Sequence, residues 1–503
     1  MSSARTGGTN TGADGADPRR WWGLVVIALA QLMVVLDATI VNIALPSAQR
    51  ALGMSDGNRQ WVITAYTLAF GGLLLLGGRI ADLAGRKRTF VIGLIGFAAA
   101  SAFGGAAQTP GMLFGARALQ GAFAAVLAPS ALSLLTTTFT DPRERGKAFG
   151  IYGALAGSGS AIGFIVGGLL TEYLNWRWCL YVNVPIAVLA VAGALVLLHD
   201  RPGQAGGRLD VPGAVLGCGG LVAIVYGFSE AQPRGWSDPL VLGLFAAGTV
   251  LLVAFVRWQT RAPSPLLPLH IVRDRDRGGS FLTMALATVA MFGLFLFLTY
   301  YLQVILGYSP VRAGLGFLPL TVAIIIGSTQ ISARLLHRLA PRLLMVPGTL
   351  LAACGLLLLT RITVHSSYPT EILPALLLMG LGMGLTFMPV FATATSGVAP
   401  RDAGVTSATV NTSQQVGGSI GTALLNTVAT TSSAAYLTAH LHDPARRAAV
   451  VPEAVVHGYT VAIWWAAGVM LLAGLVAGLL VTAEPVKHDS PAETPMPECQ
   501  SPM

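Results

Sequence analysis

The sequence predicts an all-α polytopic membrane protein, on three observations. Only 11% of its residues are charged and 54% are apolar, whereas a soluble domain carries about 25% charged residues. The apolar residues come in long runs of roughly 20, the length a helix needs to cross the hydrocarbon core. Short polar loops separate the runs, and most of the basic residues lie in these loops.

Taken in order, residues 1–20 form a polar, Gly- and Ala-rich tail that ends in Arg19 and Arg20. The apolar run that follows is longer than the roughly 7–15 residues of a signal-peptide core, so it reads as an uncleaved first span. Trp21 and Trp22 stand at its start, where indoles collect at the membrane interface. Spans are expected over residues 21–45, 60–80, 88–107, 111–136, 147–171, 178–198, 211–229, 239–257, 281–303, 312–334, 342–361, 371–392, 404–430 and 457–481. That makes fourteen, and an even number puts both termini on one side.

The net charge of +9 decides which side. With the termini inside, Lys and Arg favour the cytoplasmic segments over the outer loops by almost three to one, as the positive-inside rule requires. Arg117 is then the basic residue left inside a span. The expected location is a bacterial cytoplasmic membrane. Nucleic acid is not an expected partner, because the basic residues are spread over short loops and form no face. The four cysteines, Cys179, Cys218, Cys354 and Cys499, show neither metal-ligand nor disulfide spacing. The "HLHDP" stretch in the longest outer loop, 431–456, is too slight to count as a metal site.

The chain echoes itself. "RIADLAGRKRTF" (79–90) and "RLLHRLAPRLLM" (334–345) each follow an apolar span and lead into another. Asp82 aligns with His337, Gly85 with Ala340 and Lys87 with Arg342. Both loops fall between the second and third spans of a group of six. The expected organisation is therefore a tail (1–20), a six-helix bundle (21–198), an inserted helix pair with its loops (199–280), a second six-helix bundle (281–481) and a disordered tail (482–503). Such duplication is a common way to build a central cavity between two halves.

"GGRIADLAGRKRTF" resembles the loop signature of the major facilitator superfamily, carried here by Gly78, Asp82, Gly85, Arg86 and Lys87. "LDATIVNIALP", "RALQGAFAAVLAPSAL", "NWRWCLYVNVPIAV", "LDVPGAVL" and "NTSQQVGGSIGTAL" resemble, in chain order, segments of its fourteen-span drug:proton antiporter branch. The resemblance runs from about Trp21 to Val481. It implies the major facilitator fold with 14 transmembrane helices arranged 6+2+6, and a cytoplasmic gating loop at Gly78–Lys87. One departure stands out. The fifth-span antiporter stripe is present as Gly153, Gly157, Gly167 and Gly168, but Phe164 occupies the position where that branch has proline. The stripe suits close helix packing, and the large ring puts that packing in question.

Within this frame Asp37 is the expected proton-coupling acid, because a carboxylate inside a span is costly and usually lines a cavity or relays protons. Arg117 is expected to tune it, with Gln120 on the same helix face. A purely structural ion pair is the alternative reading. Glu172 and Glu230, near the outer ends of their spans, are further candidates for receiving protons. Tyr66, Gln120, Tyr300, Tyr301, Gln303, Asn411, Gln414 and Gln415 are candidate cavity residues, since aromatic faces with a few amides suit amphipathic or cationic compounds. No phosphate-binding Gly-x-x-x-x-Gly-Lys-Ser/Thr occurs, so no cofactor is expected and the proton gradient is the expected drive. "GSGSAIG" lies inside an apolar span and is no dinucleotide loop.

The expected function is drug:proton antiport by a monomer that acts on an antibiotic or other amphipathic drug. The resemblance to self-resistance exporters of antibiotic-producing actinomycetes points towards puromycin. A proton-coupled importer of a small nutrient is the alternative. A membrane enzyme or sensor is disfavoured, for lack of a catalytic cluster or a sizeable soluble segment.

Overall fold

The computed structural model describes residues 20–139, 141–198, 209–398, 402–440 and 447–484, without the side chains of 142–143, 145–146, 149–150, 153–154, 156–157 and 447–449. The first helices are α1 (Arg20–Leu52), α2 (Trp61–Ala84), α3 (Arg86–Gly105), α4 (Pro110–Thr138), α5 (Pro142–Tyr173) and α6 (Trp178–Leu197). A pair follows, α7 (Val211–Arg234) and α8 (Pro239–Gln259). The last six are α9 (Arg275–Ile305), α10 (Pro310–Leu335), α11 (Arg342–Leu359), α12 (Tyr368–Thr395), α13 (Ala403–His440) and α14 (Arg447–Leu480).

Local chemistry sets many of the boundaries. Thr109, Asp238 and Ser309 each cap a helix that opens with proline, and their side chains accept the N–H of Met112, Leu240 and Arg312 respectively. A capping oxygen satisfies a backbone donor that the first turn leaves free, and proline at the first position sacrifices no hydrogen bond. Gly85 separates α2 from α3 with φ +94°, a conformation that disfavours any side chain.

Twelve helices among the described residues are long and apolar enough to cross a membrane. The expected fifth and thirteenth spans fall within two longer helices, α5 of 32 residues and α13 of 38. They pack along α1 and α9 respectively. Residues 431–440 continue α13 and Arg447 opens α14, so most of the expected outer loop 431–456 is helical, because small and polar residues there still extend an exposed helix.

Packing divides the helices into two sets that follow one plan. In the first set α1 packs on α5 and α6, α4 on α2 and α3, and α3 on α6; in the second, α9 packs on α13 and α14, α12 on α10 and α11, and α11 on α14. The sets meet at α2 against α13 and at α5 against α10, which is the same pairing with the roles exchanged. Of the pair, α7 lies against α2 and α13, and α8 packs on α7. Both ends of the described chain lie at one end of the bundle, here called proximal. The start of α1 packs beside Leu198, and Arg275 at the start of α9 donates to the Leu479 carbonyl near the end of α14.

Candidate functional site

Asp37 lies near the middle of α1 and is fully buried, as is Arg117 on α4. The Arg117 Nη1 donates to Asp37 Oδ2 at 2.6 Å and to Gln120 Oε1 at 2.8 Å, and its Nε donates to the Val62 carbonyl at 3.0 Å. The guanidinium carbon sits 4.3 Å above the Tyr66 ring. Asp37 Oδ1 accepts from Gln120 Nε2 at 3.0 Å and from Asn183 Nδ2 at 2.8 Å. Asn183 also donates to Ser101 Oγ, which donates to the Leu180 carbonyl. Five helices, α1, α2, α3, α4 and α6, thus converge on one carboxylate.

A buried ion pair survives desolvation only when its remaining valences are also filled. Here Asp37 takes three donors, and Gln120 joins both partners, accepting from the arginine and donating to the acid. The acid can exchange a proton, whereas the arginine cannot release one. The Tyr66 hydroxyl and Asn183 Oδ1 are buried beside the pair without a protein partner. On the distal side Val41, Leu45, Leu113, Cys179 and Leu180 line a small apolar pocket that reaches Arg117.

The structure redistributes the other expected residues. Tyr66 is only 1% exposed and belongs to the acid–arginine cluster, not to an open cavity. Tyr301 is wholly buried, and its hydroxyl donates to the Thr363 carbonyl, a packing contact. Gln303 joins the two sets through the Ile43 carbonyl at 2.9 Å. Asn411, Gln414 and Gln415 are half-buried on α13. There Gly71 of α2 leaves no room for a side chain against Gln415, and Ser419 donates to Thr67 at 2.8 Å.

In the proximal loop Asp82 and Arg86 approach to 3.5 Å. Lys87 donates to the carbonyls of Leu195 and Leu198 at the end of α6, where a cation meets the negative end of the helix dipole. The close approach of α2 to α4 falls on Gly77, whose Cβ would strike the Ala125 carbonyl, and Gly78 has more room.

Of the α5 stripe, Gly167 packs on Ile40 of α1 and Gly168 on the backbone of Pro310 and Val311. Gly153 and Gly157 lie where the structure describes no side-chain surroundings. Phe164 is accommodated, since it stacks on Phe317 at 4.8 Å and meets Phe295 at 5.6 Å, both from the second set. Glu172 accepts the N–H of Val311 at the start of α10. Glu230 pairs with Arg234. In the "HLHDP" stretch His440 stacks on Tyr436, and its other polar residues lie outside the described ones.

Three residues of consequence escaped sequence reasoning. Asn183 and Ser101 are single polar residues in apolar runs, a weak signal that "YVNVPIAV" nevertheless carries. Arg59, assigned from the sequence to an outer loop, is a second buried cation, 4% exposed.

The bundle and its buried acid–arginine pair define a class of membrane protein. The Major Facilitator Superfamily model matches residues 27–422, and the chain belongs to that superfamily. It is 59% identical over 469 residues to the puromycin resistance protein of Streptomyces alboniger, covering 93% of this chain and 92% of that one. It is 40% identical over 449 residues to the cephamycin export protein of Amycolatopsis lactamdurans, covering 88% and 92%. The tetracenomycin C resistance and export protein of Streptomyces glaucescens is 35% identical over 421 residues, covering 84% and 78%. Among solved structures, a bacterial homologue of the human lysosomal transporter Spinster, inward-facing and occupied, aligns with a TM-score of 0.65 at 17% identity over 93% of this chain and 97% of that one. That likeness concerns the fold.

Proposed function

We propose that this protein exports an antibiotic across the bacterial cytoplasmic membrane, with puromycin the first substrate to test, in exchange for protons. High identity to a puromycin resistance protein along nearly the whole chain supports the substrate. The buried Asp37–Arg117 pair is the observation that carries the coupling. In this reading Asp37 takes up a proton when the bundle opens distally and gives it up proximally, and Arg117 holds the empty carboxylate charged. Both termini are cytoplasmic, which fits the basic proximal loops. All fourteen long helices cross, as two six-helix bundles (21–198 and 281–481) with the inserted segment 199–280 between them. The matched pairings of the two sets support this 6+2+6 arrangement. The monomer works alone and the proton gradient drives it. The import reading drew on the missing proline of α5, and Phe164 supplies a packed contact in its place.

The test uses everted vesicles with an acidified interior and a pH-quenched dye. Puromycin should release protons and restore fluorescence in the wild type but not in Asp37→Asn. Puromycin transport without proton release would overturn antiport.

A further inference from the structure

Arg59 stands just before α2 at the distal end, on the first set, yet most of its surroundings belong to the second. Its guanidinium carbon lies 3.8 Å above the Tyr300 ring of α9, and its Nη2 reaches the Tyr459 hydroxyl of α14 at 3.4 Å. Phe297 stacks on Tyr459 at 5.2 Å and holds that ring in place. Tyr300 itself is buried there, 3% exposed. The carboxylate on Arg59 is Asp56, at 2.9 Å, which belongs to the first set and would leave with it. The second set therefore presents a partial aromatic cage, one ring face from Tyr300 and one phenol oxygen from Tyr459, and the first set inserts a tethered cation into it.

We propose that Phe297, Tyr300 and Tyr459 form a distal subsite for an organic cation, and that Arg59 is its built-in competitor. The inference rests on the exporter reading, in which the two sets part at the distal end. Parting withdraws Arg59 with α2 and presents the cage to a departing amphipathic cation, whose charge the Tyr300 ring face and the Tyr459 oxygen attract. Two phenols bind such a cation without a counter-charge to trap it. When the sets close again, Arg59 refills the cage, expels the ligand and blocks its return.

The experiment measures ethidium binding to the full-length protein in nanodiscs by fluorescence anisotropy. Arg59→Gln empties the cage and should bind ethidium about tenfold more tightly than wild type, the scale of one desolvated cation–π contact. Arg59→Lys keeps a tethered cation and should bind as wild type does. Adding Tyr300→Leu to Arg59→Gln should abolish the gain. No tightening in Arg59→Gln, or tightening that survives Tyr300→Leu, overturns the proposal. A photoreactive ethidium azide on the unmutated protein gives a reading that depends on no variant. It should label the peptides holding Tyr300 and Tyr459, and labelling that misses both also overturns the proposal. Puromycin-driven proton release is scored separately, so loss of the subsite and loss of the exporter reading are distinguishable.

Discussion

Asp37 is held by Arg117, Gln120 and Asn183 at 2.6, 3.0 and 2.8 Å. Replacing it with asparagine keeps the shape but leaves Arg117 buried without its counter-charge. Breaking one side of a buried pair costs about 3–5 kcal/mol, so Asp37→Asn should lower the melting temperature in detergent as well as abolish drug-dependent proton release. Arg117→Lys is the more selective change. A lysine keeps the charge, but a single ammonium cannot place donors on Asp37, Gln120 and the Val62 carbonyl in the fixed fork that arginine offers. Vesicles carrying Arg117→Lys should lose at least about tenfold in coupled transport, the equivalent of one charge-assisted hydrogen bond. Normal coupling would show that the fork is dispensable. The pair was legible in the sequence because a charge inside an apolar run is expensive and must have a use. Asn183 and Ser101 were not, since an amide or hydroxyl in such a run is cheaper and commoner. The direction in which Tyr66 points is not written in composition at all, and Arg59 was hidden by the polar loop around it.

At the scale of elements, the inserted pair is pinned by Asp210. Its Oδ1 accepts the Gly213 N–H at 2.9 Å and the Trp258 indole N–H at 2.6 Å, and its Oδ2 accepts from Gln259 at 2.7 Å. Burial pushes this carboxyl upward, but the donors of Trp258, Gly213, Gln259 and the Leu266 backbone outweigh it and hold it below the usual carboxylate range. Because the folded value is the lower one, the stabilisation is complete above the unfolded value of about 3.9. It is lost as pH falls through the folded value. Asp210→Ala removes these acceptors, which asparagine would partly keep, so it should loosen the start of α7 already at neutral pH, and hydrogen exchange at Gly213 and Leu266 should accelerate. Unchanged exchange would mean that the cap is not what holds the pair. The second prediction at this scale concerns Phe164. A helix over residues 147–171 was legible from its apolar run, although α5 starts earlier, at Pro142; the partner of Phe164 was not, because Phe295 and Phe317 lie far along the chain. Phe164→Pro restores the proline of the antiporter branch, yet it removes a backbone donor and a stacked ring. It should lower the melting temperature and reduce resistance in cells. A gain in either would show that the ring only fills space.

For the whole molecule, the contacts that join the two sets gather at the distal end. Gln303 reaches the Ile43 carbonyl, Asn426 the Asp56 carbonyl at 3.0 Å, and Glu172 accepts the Val311 N–H at 2.9 Å. Glu172 differs from the others in kind, because it places a carboxylate of the first set at the start of a helix of the second. A carboxylate at a helix N-terminus contributes about 0.3–1 kcal/mol through the helix dipole. Glu172→Gln preserves the shape and removes the charge, so the open-to-closed ratio at the distal end should rise about two- to fivefold. Spin labels on cysteines introduced at Ser55 and Thr370, both exposed at that end on opposite sets, can read this ratio. Wild-type protein should give a dominant short distance and Glu172→Gln an enlarged long component, with Asp82→Asn, at the proximal end, as a control that does not enlarge it. The echo of the two loops suggests two like halves, but says nothing of which end is shut. Closure depends on contacts between residues more than a hundred positions apart, and these spin-label distances test it directly. If Glu172→Gln left them unchanged, the distal seal would rest on the apolar cluster of Phe164, Phe295 and Phe317 and not on charge.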